Sequence, residues 1–173
     1  MREIDLKALI RHVPDFPKPG ILFYDVTTLL RDPAGFRESI DRLSWPYQNV
    51  GVDAVVGIES RGFILGAAVA DRLGAGFVLV RKPGKLPGRT TQVSYDLEYG
   101  SDSLELHVGS IEAGQRVLIV DDLLATGGTA RATCDLIRSA GGKVEGMAFL
   151  IELVELEGRK KLTDVDLLTI LTY

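Results

Sequence analysis

The stretch Val117-Leu-Ile-Val-Asp-Asp-Leu-Leu-Ala-Thr-Gly-Gly-Thr129 decides the fold of this 173-residue chain. Its first four residues, Val117–Val120, are apolar and mostly β-branched, which predicts a buried strand. Asp121 and Asp122 come where that strand should end, and the small-residue turn Ala125–Thr129 leads into a helical pattern. A strand, a glycine-rich turn and a helix start predict a phosphate site, because unpaired amides and the helix dipole favour an anion there.

The two carboxylates distinguish this stretch from other phosphate-binding motifs. It contains neither the Gly-x-x-x-x-Gly-Lys-Ser/Thr of a Walker A loop nor the Gly-x-Gly-x-x-Gly of a dinucleotide-binding turn. Because carboxylates would repel a phosphate directly, we expect Asp121 and Asp122 to face ribose hydroxyls or a bridging Mg²⁺. An isolated acidic pair would more simply cap a turn, but the whole string favours a ligand site.

Strands and helices alternate around this stretch. Apolar strands are predicted at Asp53–Ile58 and Phe77–Val80, with a helix at Arg61–Leu73 between them. Two strand–helix–strand patterns predict an α/β fold with a mostly parallel central sheet flanked by helices. Right-handed crossovers would place Gly57–Gly62 and Asp121–Thr129 at the same carboxyl edge, where open α/β sheets bind ligands.

The rest of the chain contains further predicted elements and one long irregular segment. The elements are two N-terminal helices, a hairpin and two late strands, at Ile4–Val13, Pro33–Leu43, Thr91–Tyr95 with Ser103–Val108, Gly142–Val154 and Asp166–Leu171. The segment 82–102 has little periodicity, and that length indicates a functional lid. Basic side chains cluster at its start, at Arg81, Lys82, Lys85 and Arg89. A chain with a net charge of −4 would need such a local cluster to hold an anionic ligand.

Composition and charge argue against several classes of protein. Hydrophobic residues make up 46% and charged residues 25% of the chain, as expected for one soluble domain spanning residues 1–173. No apolar run approaches the roughly 20 residues that span a bilayer, and the N-terminus lacks a signal-peptide pattern. The acidic balance argues against nucleic acid as a partner. Cys134 is the only cysteine, so we expect a buried thiol in a cytoplasmic protein.

Four further segments accompany the opening stretch along nearly the full length of the chain: FPKPGILF at Phe16–Phe23, GIESRGF at Gly57–Phe63, RKPGKLPG at Arg81–Gly88 and YDLEYG at Tyr95–Gly100. In this order they resemble the type I phosphoribosyltransferases. The opening stretch alone would indicate only that superfamily. The Pro-Gly-Ile-Leu-Phe and Leu-Glu-Tyr-Gly sequences are similar to those of the adenine phosphoribosyltransferase family within it.

The resemblance implies a fold and a reaction. The fold would be the type I phosphoribosyltransferase fold, with residues 1–35 contributing a small base-binding hood and residues 82–102 a flexible lid loop. The reaction would transfer the 5-phosphoribosyl group of phosphoribosyl pyrophosphate (PRPP) to adenine, giving AMP and pyrophosphate for purine salvage. An oxocarbenium-like transition state needs no protein nucleophile, so positioning and charge stabilisation would carry the catalysis. A homodimer and a substrate-bridging Mg²⁺ without direct protein ligands are also implied.

The resemblance also assigns residues to the PRPP half of the site. The 5′-phosphate would lie on the loop formed by Ala125, Thr126, Gly127, Gly128 and Thr129, and the ribose hydroxyls would face Asp121 and Asp122. Pyrophosphate would be bound by Glu59, Ser60, Arg61, Arg81, Lys82 and Lys85. The bond Glu59–Ser60 matches a peptide that is often cis in the family, and Arg81 would also contact a neighbouring subunit.

The adenine half of the site depends on fewer residues. Phe23 would stack on the base, with Leu22, Tyr24 and Ala125 around it, although a phenylalanine at such a position is often an ordinary core residue. Many relatives have arginine where this chain has Tyr24. Glu98 would act as the general acid/base near adenine N7 if burial raises its pKa, and Tyr99 would cover the reaction centre; these two are the expected catalytic residues.

Three other readings of the sequence remain open. A phosphoribosyltransferase for xanthine, hypoxanthine or orotate would share the loop and the acidic pair and differ at the base site. A PRPP-sensing transcriptional regulator would normally add a DNA-binding module and a basic surface, for which this acidic chain has no spare length. A catalytically dead scaffold is disfavoured because Asp121, Asp122, Thr126, Gly127 and Glu98 are all present.

The assignment of Glu98 is open to a direct test. Glu98→Gln removes the ionisable proton and should lower turnover at saturating substrates by about tenfold or more. Steady-state kinetics would measure it, with the KM values as the control for substrate binding. An unchanged turnover number would exclude Glu98 from the mechanism.

Overall fold

A five-stranded parallel sheet forms the centre of the protein in the computed structural model, which describes residues 4–96 and 101–173. The strands are β1 (Arg11–Pro14), β2 (Leu22–Asp25), β3 (Ala54–Ile58), β4 (Gly76–Val80), β5 (Thr90–Asp96), β6 (Ser101–His107), β7 (Arg116–Leu124), β8 (Lys143–Glu152) and β9 (Leu167–Thr172). The helices are α1 (Thr27–Arg31), α2 (Pro33–Ser44), α3 (Arg61–Leu73) and α4 (Gly128–Ser139), with short 3-10 helices at Lys7–Leu9, Trp45–Tyr47, Val154–Leu156 and Gly158–Lys161. The central sheet has the order β4-β3-β7-β8-β9, which confirms the predicted α/β class.

Strand β7 lies in the middle of the sheet and is covered on both faces. Val117 and Ile119 face the cluster that contains α4 and β6, whereas Leu118 and Val120 face the cluster that contains α2 and α3. All four side chains are fully buried. This alternation follows from the period of two in a strand, and it explains why a doubly covered strand has a continuous apolar sequence.

Local sequence determines where the helices begin and end. The carboxylate of Asp32 accepts a hydrogen bond from the amide of Gly35 at 2.7 Å, so Asp32 caps α2, with Pro33 as the first helical residue. Helix α3 ends at Leu73 and is followed by Gly74, whose φ of 66° gives the left-handed C-terminal cap. The helices predicted after Pro33 and Arg61 are therefore confirmed.

The predicted N-terminal helix at Ile4–Val13 is wrong. Only Lys7–Leu9 form a 3-10 turn, after which β1 pairs with β2 in an antiparallel ribbon that aligns His12 with Tyr24. The apolar side chains of Leu6 and Ile10 are buried, as an amphipathic helix would also bury them. Pairing with a distant strand, which a local periodicity cannot report, overrides the helical pattern.

The strand that carries the acidic pair is longer than predicted. Asp121 and Asp122 lie inside β7, which continues to Leu124 because β8 pairs with it up to Glu152. On the other side, the pairing of β3 with β7 ends at Val120. Asp121 and Asp122 therefore come directly after Val120, the last residue of β7 that pairs with β3, and lie beside the carboxyl end of β3.

The predicted hairpin is confirmed as an antiparallel pair of β5 and β6. It packs on the α4 face of the sheet, where Leu104 and Leu106 are fully buried in the core. Strand β5 and the start of β6 occupy part of the predicted lid segment 82–102, and residues 97–100 lie outside the described structure. Cys134 is buried and free, as expected. Within the described residues, no helix is both long and apolar enough to span a membrane.

Candidate active site

A cavity of about 220 Å³ opens at the carboxyl ends of β3 and β7. It brings together most of the residues predicted to bind PRPP, together with apolar side chains of the core. From the predicted set, its lining includes Glu59, Arg61, Lys82, Asp121, Asp122 and the whole loop Ala125–Thr129. Residues from three separate parts of the chain, up to 70 positions apart, thus form one polar concavity at the edge of the sheet where the topology predicts a ligand.

The loop Ala125–Thr129, predicted to bind phosphate, is a tight turn between β7 and α4. Gly127 has a φ of 78°, a left-handed conformation that favours glycine, and α4 begins at the next residue. The carbonyl of Gly127 accepts the first helical hydrogen bond from the amide of Arg131 at 2.9 Å. The start of a twelve-residue helix therefore lies at the cavity, as an anion site requires.

Gly158 supports this loop from the opposite side, although sequence reasoning did not identify it. A Cβ atom on Gly158 would overlap the carbonyl oxygen of Ala125 and lie 2.9 Å from the amide nitrogen of Gly127. A Cβ atom on Gly127 would in turn overlap the carbonyl oxygen of Gly158. Two backbone segments that are 31 residues apart thus pack directly on each other, and only the fold could reveal that contact.

The acidic pair is connected to the turn that follows β3. The guanidinium of Arg61 donates a hydrogen bond to the carboxylate of Asp122, while the amide of Asp122 donates to Oδ1 of Asp121 at 2.9 Å. Burial, and next the charge of Asp122, raise the pKa of Asp121 well above its usual range. A Cβ atom on Gly62 would lie only 2.6 Å from Oδ1 of Asp121, so this close approach requires glycine.

The turn after β3 forms the second predicted anion corner. The peptide Glu59–Ser60 is cis, as the resemblance implied, and Ser60 is the residue that precedes α3. The carboxylate of Glu59 accepts a hydrogen bond from Nε of Arg81 at 2.7 Å. Arg81 also donates to the backbone carbonyl of Lys85 at 3.2 Å. Arg81 is therefore bound to Glu59, which lines the cavity, whereas neither Arg81 nor Lys85 is among the lining residues.

The hood residues divide between two faces of the ribbon of β1 and β2. The ring of Phe23 lies 5.7 Å below the guanidinium of Arg61 and contacts Phe16 edge to face, with ring centroids 5.1 Å apart. Tyr24 faces the other way and packs on Tyr173, at a centroid distance of 4.1 Å. The side chain of Tyr24 thus points away from Arg61, and only its backbone remains available to a base beside Phe23.

The remaining predicted residues are placed as follows. Leu22 is 45% exposed on the hood and, like Phe23, does not line the cavity. Glu98 and Tyr99 lie outside the described residues, so their predicted roles stay predictions. The contacts of Tyr95 and Asp102 were not predicted, because the sequence of a hairpin does not indicate which distant residues its side chains contact.

The fold and this site define the class of protein. The family model for the phosphoribosyl transferase domain matches residues 25–171. The adenine phosphoribosyltransferase of Acidobacterium capsulatum is 60% identical over 168 residues, which cover 97% of this chain and 93% of that protein.

Solved structures agree with this class. The crystal structure of adenine phosphoribosyltransferase from Rhodothermus marinus superposes with a TM-score of 0.94 at 56% identity, covering 97% of this chain and 96% of that one. The Saccharomyces cerevisiae enzyme, complexed with an imino-altritol bisphosphate and adenine, superposes with a TM-score of 0.90 at 42% identity, covering 96% of each chain. The chain belongs to the adenine phosphoribosyltransferase family.

The contact between Gly158 and the loop predicts a stability difference between two glycine variants. Gly158→Ala should lower the free energy of unfolding by roughly 1–3 kcal/mol, because the added methyl overlaps a backbone carbonyl that cannot move cheaply. Gly76→Ala is the matched control, since the nearest atom to its Cβ is the carbonyl oxygen of Asp53 at 3.7 Å. Urea unfolding would measure both, and equal effects would contradict the proposed contact.

Proposed function

We propose that this protein transfers the 5-phosphoribosyl group of PRPP to N9 of adenine and releases AMP and pyrophosphate, as an enzyme of purine salvage. The observation that carries the proposal is the cavity in which a glycine-rich loop at a helix start, an acidic pair and two basic side chains meet. These groups match the three parts of PRPP: a terminal phosphate, a ribose with two hydroxyls, and a diphosphate. Membership of the adenine phosphoribosyltransferase family supports the choice of adenine.

The phosphate loop holds one end of the substrate. Amides of Ala125–Gly128 and the hydroxyls of Thr126 and Thr129 bind the 5′-phosphate, and the α4 dipole adds to that attraction. The ribose then separates the phosphate from Asp121 and Asp122, which accept or share hydrogen bonds from its hydroxyls. The raised pKa of Asp121 allows that group to take up a proton more readily than an ordinary aspartate and so to act as a donor.

The basic corner holds the leaving group. Arg61 and Lys82 line the cavity and carry the charges that stabilise pyrophosphate as its bond to the ribose C1 lengthens. Arg81, Lys85 and the amides after Ser60 surround this position. The carboxylate oxygens of Asp121 and Asp122 fit a hard cation, and they would hold a substrate-bridging Mg²⁺ through water, which supplies charge neutralisation for the diphosphate.

The base enters between the hood and the cavity. Phe23, which lies against Arg61, stacks on adenine, while backbone groups of Leu22 and Tyr24 and the nearby Ala125 contact its edge. Glu98 acts as the general acid/base, accepting the proton from N7 as N9 bonds to C1 and pyrophosphate leaves, and Tyr99 covers the reacting atoms. We further propose that the protein works as a homodimer, with Arg81 near the partner, and acts in the cytoplasm.

A base panel tests the proposed reaction. With PRPP and Mg²⁺, pyrophosphate release should be fast with adenine and at least about a hundredfold slower with hypoxanthine, xanthine or orotate. Polar groups placed to hydrogen-bond the edge of adenine would be left unpaired by a base with a different edge. Turnover with a different base would make the protein a related phosphoribosyltransferase. Binding to DNA at physiological salt without turnover of any base would instead support a PRPP-sensing regulator.

The two faces of the hood predict different effects of neighbouring variants. Phe23→Leu should raise the KM for adenine by roughly five- to twentyfold, because it removes the stacking ring, and leave the KM for PRPP within about twofold. Tyr24→Phe keeps the ring that packs on Tyr173 and should change neither KM by more than about twofold. A large rise in the adenine KM for Tyr24→Phe would mean that the tyrosine hydroxyl reads the base.

A further inference from the structure

The phenol of Tyr95 connects the hairpin to the phosphate loop. Its oxygen lies 3.1 Å from Oγ1 of Thr129, the last residue of that loop. It also lies 3.4 Å from Nζ of Lys82 and 3.3 Å from Oδ2 of Asp102. Lys82 and Asp102 form an ion pair with each other. Tyr95 thus contacts a residue of the 5′-phosphate corner and a residue of the pyrophosphate corner at once.

The chemistry of these partners determines the direction of each hydrogen bond. An ammonium group has donors only, so Lys82 donates to the phenol oxygen. The hydrogen bond from Lys82 holds the pKa of Asp102 below its usual range. Because an ionised carboxylate can only accept hydrogen bonds, the phenol proton of Tyr95 points to Asp102. The Tyr95 hydroxyl has no second proton to give. The hydroxyl of Thr129 must therefore donate to the phenol oxygen in the absence of a ligand.

A bound 5′-phosphate reverses the bond between Tyr95 and Thr129. Phosphate oxygens accept, so Thr129 has to turn its proton towards the phosphate. The phenol proton can then turn from Asp102 to Oγ1 of Thr129, while Asp102 keeps Lys82 as a partner. The threonine oxygen is satisfied in both states, and a donor behind it strengthens its own hydrogen bond to the phosphate.

We propose that Tyr95 is a positioning residue, which accepts from Thr129 when the site is empty and donates to it when the 5′-phosphate is bound. This inference rests on the proposed function, since it assigns the phosphate to the loop Ala125–Thr129. In this proposal the hairpin contributes to the phosphate site through the side chain of Tyr95, and its backbone does not need to contact the ligand.

The first test compares two hydroxyl deletions on the same strand. Tyr95→Phe should raise the KM for PRPP by roughly three- to tenfold, with turnover and the KM for adenine within about twofold, because one hydrogen bond behind the phosphate is lost. Ser94→Ala is the matched control: the Ser94 hydroxyl pairs with that of Ser103 at 2.9 Å on the exposed side of the hairpin. An unchanged KM for PRPP in Tyr95→Phe, or an equal rise for adenine, would overturn the proposal.

A ligand pair separates this inference from the proposed reaction. Calorimetric titration should show that Tyr95→Phe weakens binding of AMP by roughly three- to tenfold and leaves adenosine, which lacks the 5′-phosphate, within about twofold. This comparison needs no turnover. An inactive wild-type protein would refute the proposed function, whereas equal losses for AMP and adenosine would refute only the role of Tyr95.

A double-variant cycle shows whether Tyr95 acts through Thr129. Thr129→Val removes the intermediate hydroxyl, so adding Tyr95→Phe to it should cause no further loss of AMP affinity. Losses that multiply in the double variant would show that Tyr95 acts by another route and would overturn the proposal.

Thermal unfolding of each variant identifies any loss of fold. A Tyr95→Phe variant that does not fold would show that the phenol has a structural role and would overturn the proposal.

Discussion

The parallel pairing of β3 with β7 is the constraint on which the rest of the site depends. Its register aligns Gly57 with Val120, so both strands end their pairing at the same level of the sheet. The residues that follow these paired positions, Glu59–Arg61 after β3 and Asp121 and Asp122 within β7, are then neighbours although they are far apart in the chain. A slip of one residue would turn the apolar side chains of β7 to the wrong faces, and the core therefore enforces the register that builds the site.

Close backbone contacts shape the walls of the cavity. Gly62 lies against Asp121, and Gly158 lies against the loop after β7, at distances that no side chain would allow. The loop thus receives support from β7, from α4 and from the turn before the last strand. Such contacts set the positions of the backbone amides in this loop, because amides cannot adjust by changing rotamers as side chains can.

Three basic side chains in or beside the cavity each have an acidic partner. Arg61 is paired with Asp122, Arg81 with Glu59 and Lys82 with Asp102. An acidic protein can in this way hold cations next to a cavity without leaving buried charge unpaired. Because the basic partners are about a third exposed, such pairs contribute little free energy individually.

The sequence by itself determined the α/β class, the bounds of α3, the glycine-rich turn after β7 and, through its resemblance, the family. These features are local: continuous apolar runs, helix caps and a glycine-rich turn act through neighbouring residues. Only the tertiary structure decided that residues 11–14 form a strand and that β7 continues through the acidic pair. It also decided that Tyr24 packs on Tyr173, and that Gly158 and Tyr95 contact the loop Ala125–Thr129. Each of these depends on a partner that is distant in the chain, and the identity of such a partner is set by packing, which no local pattern encodes.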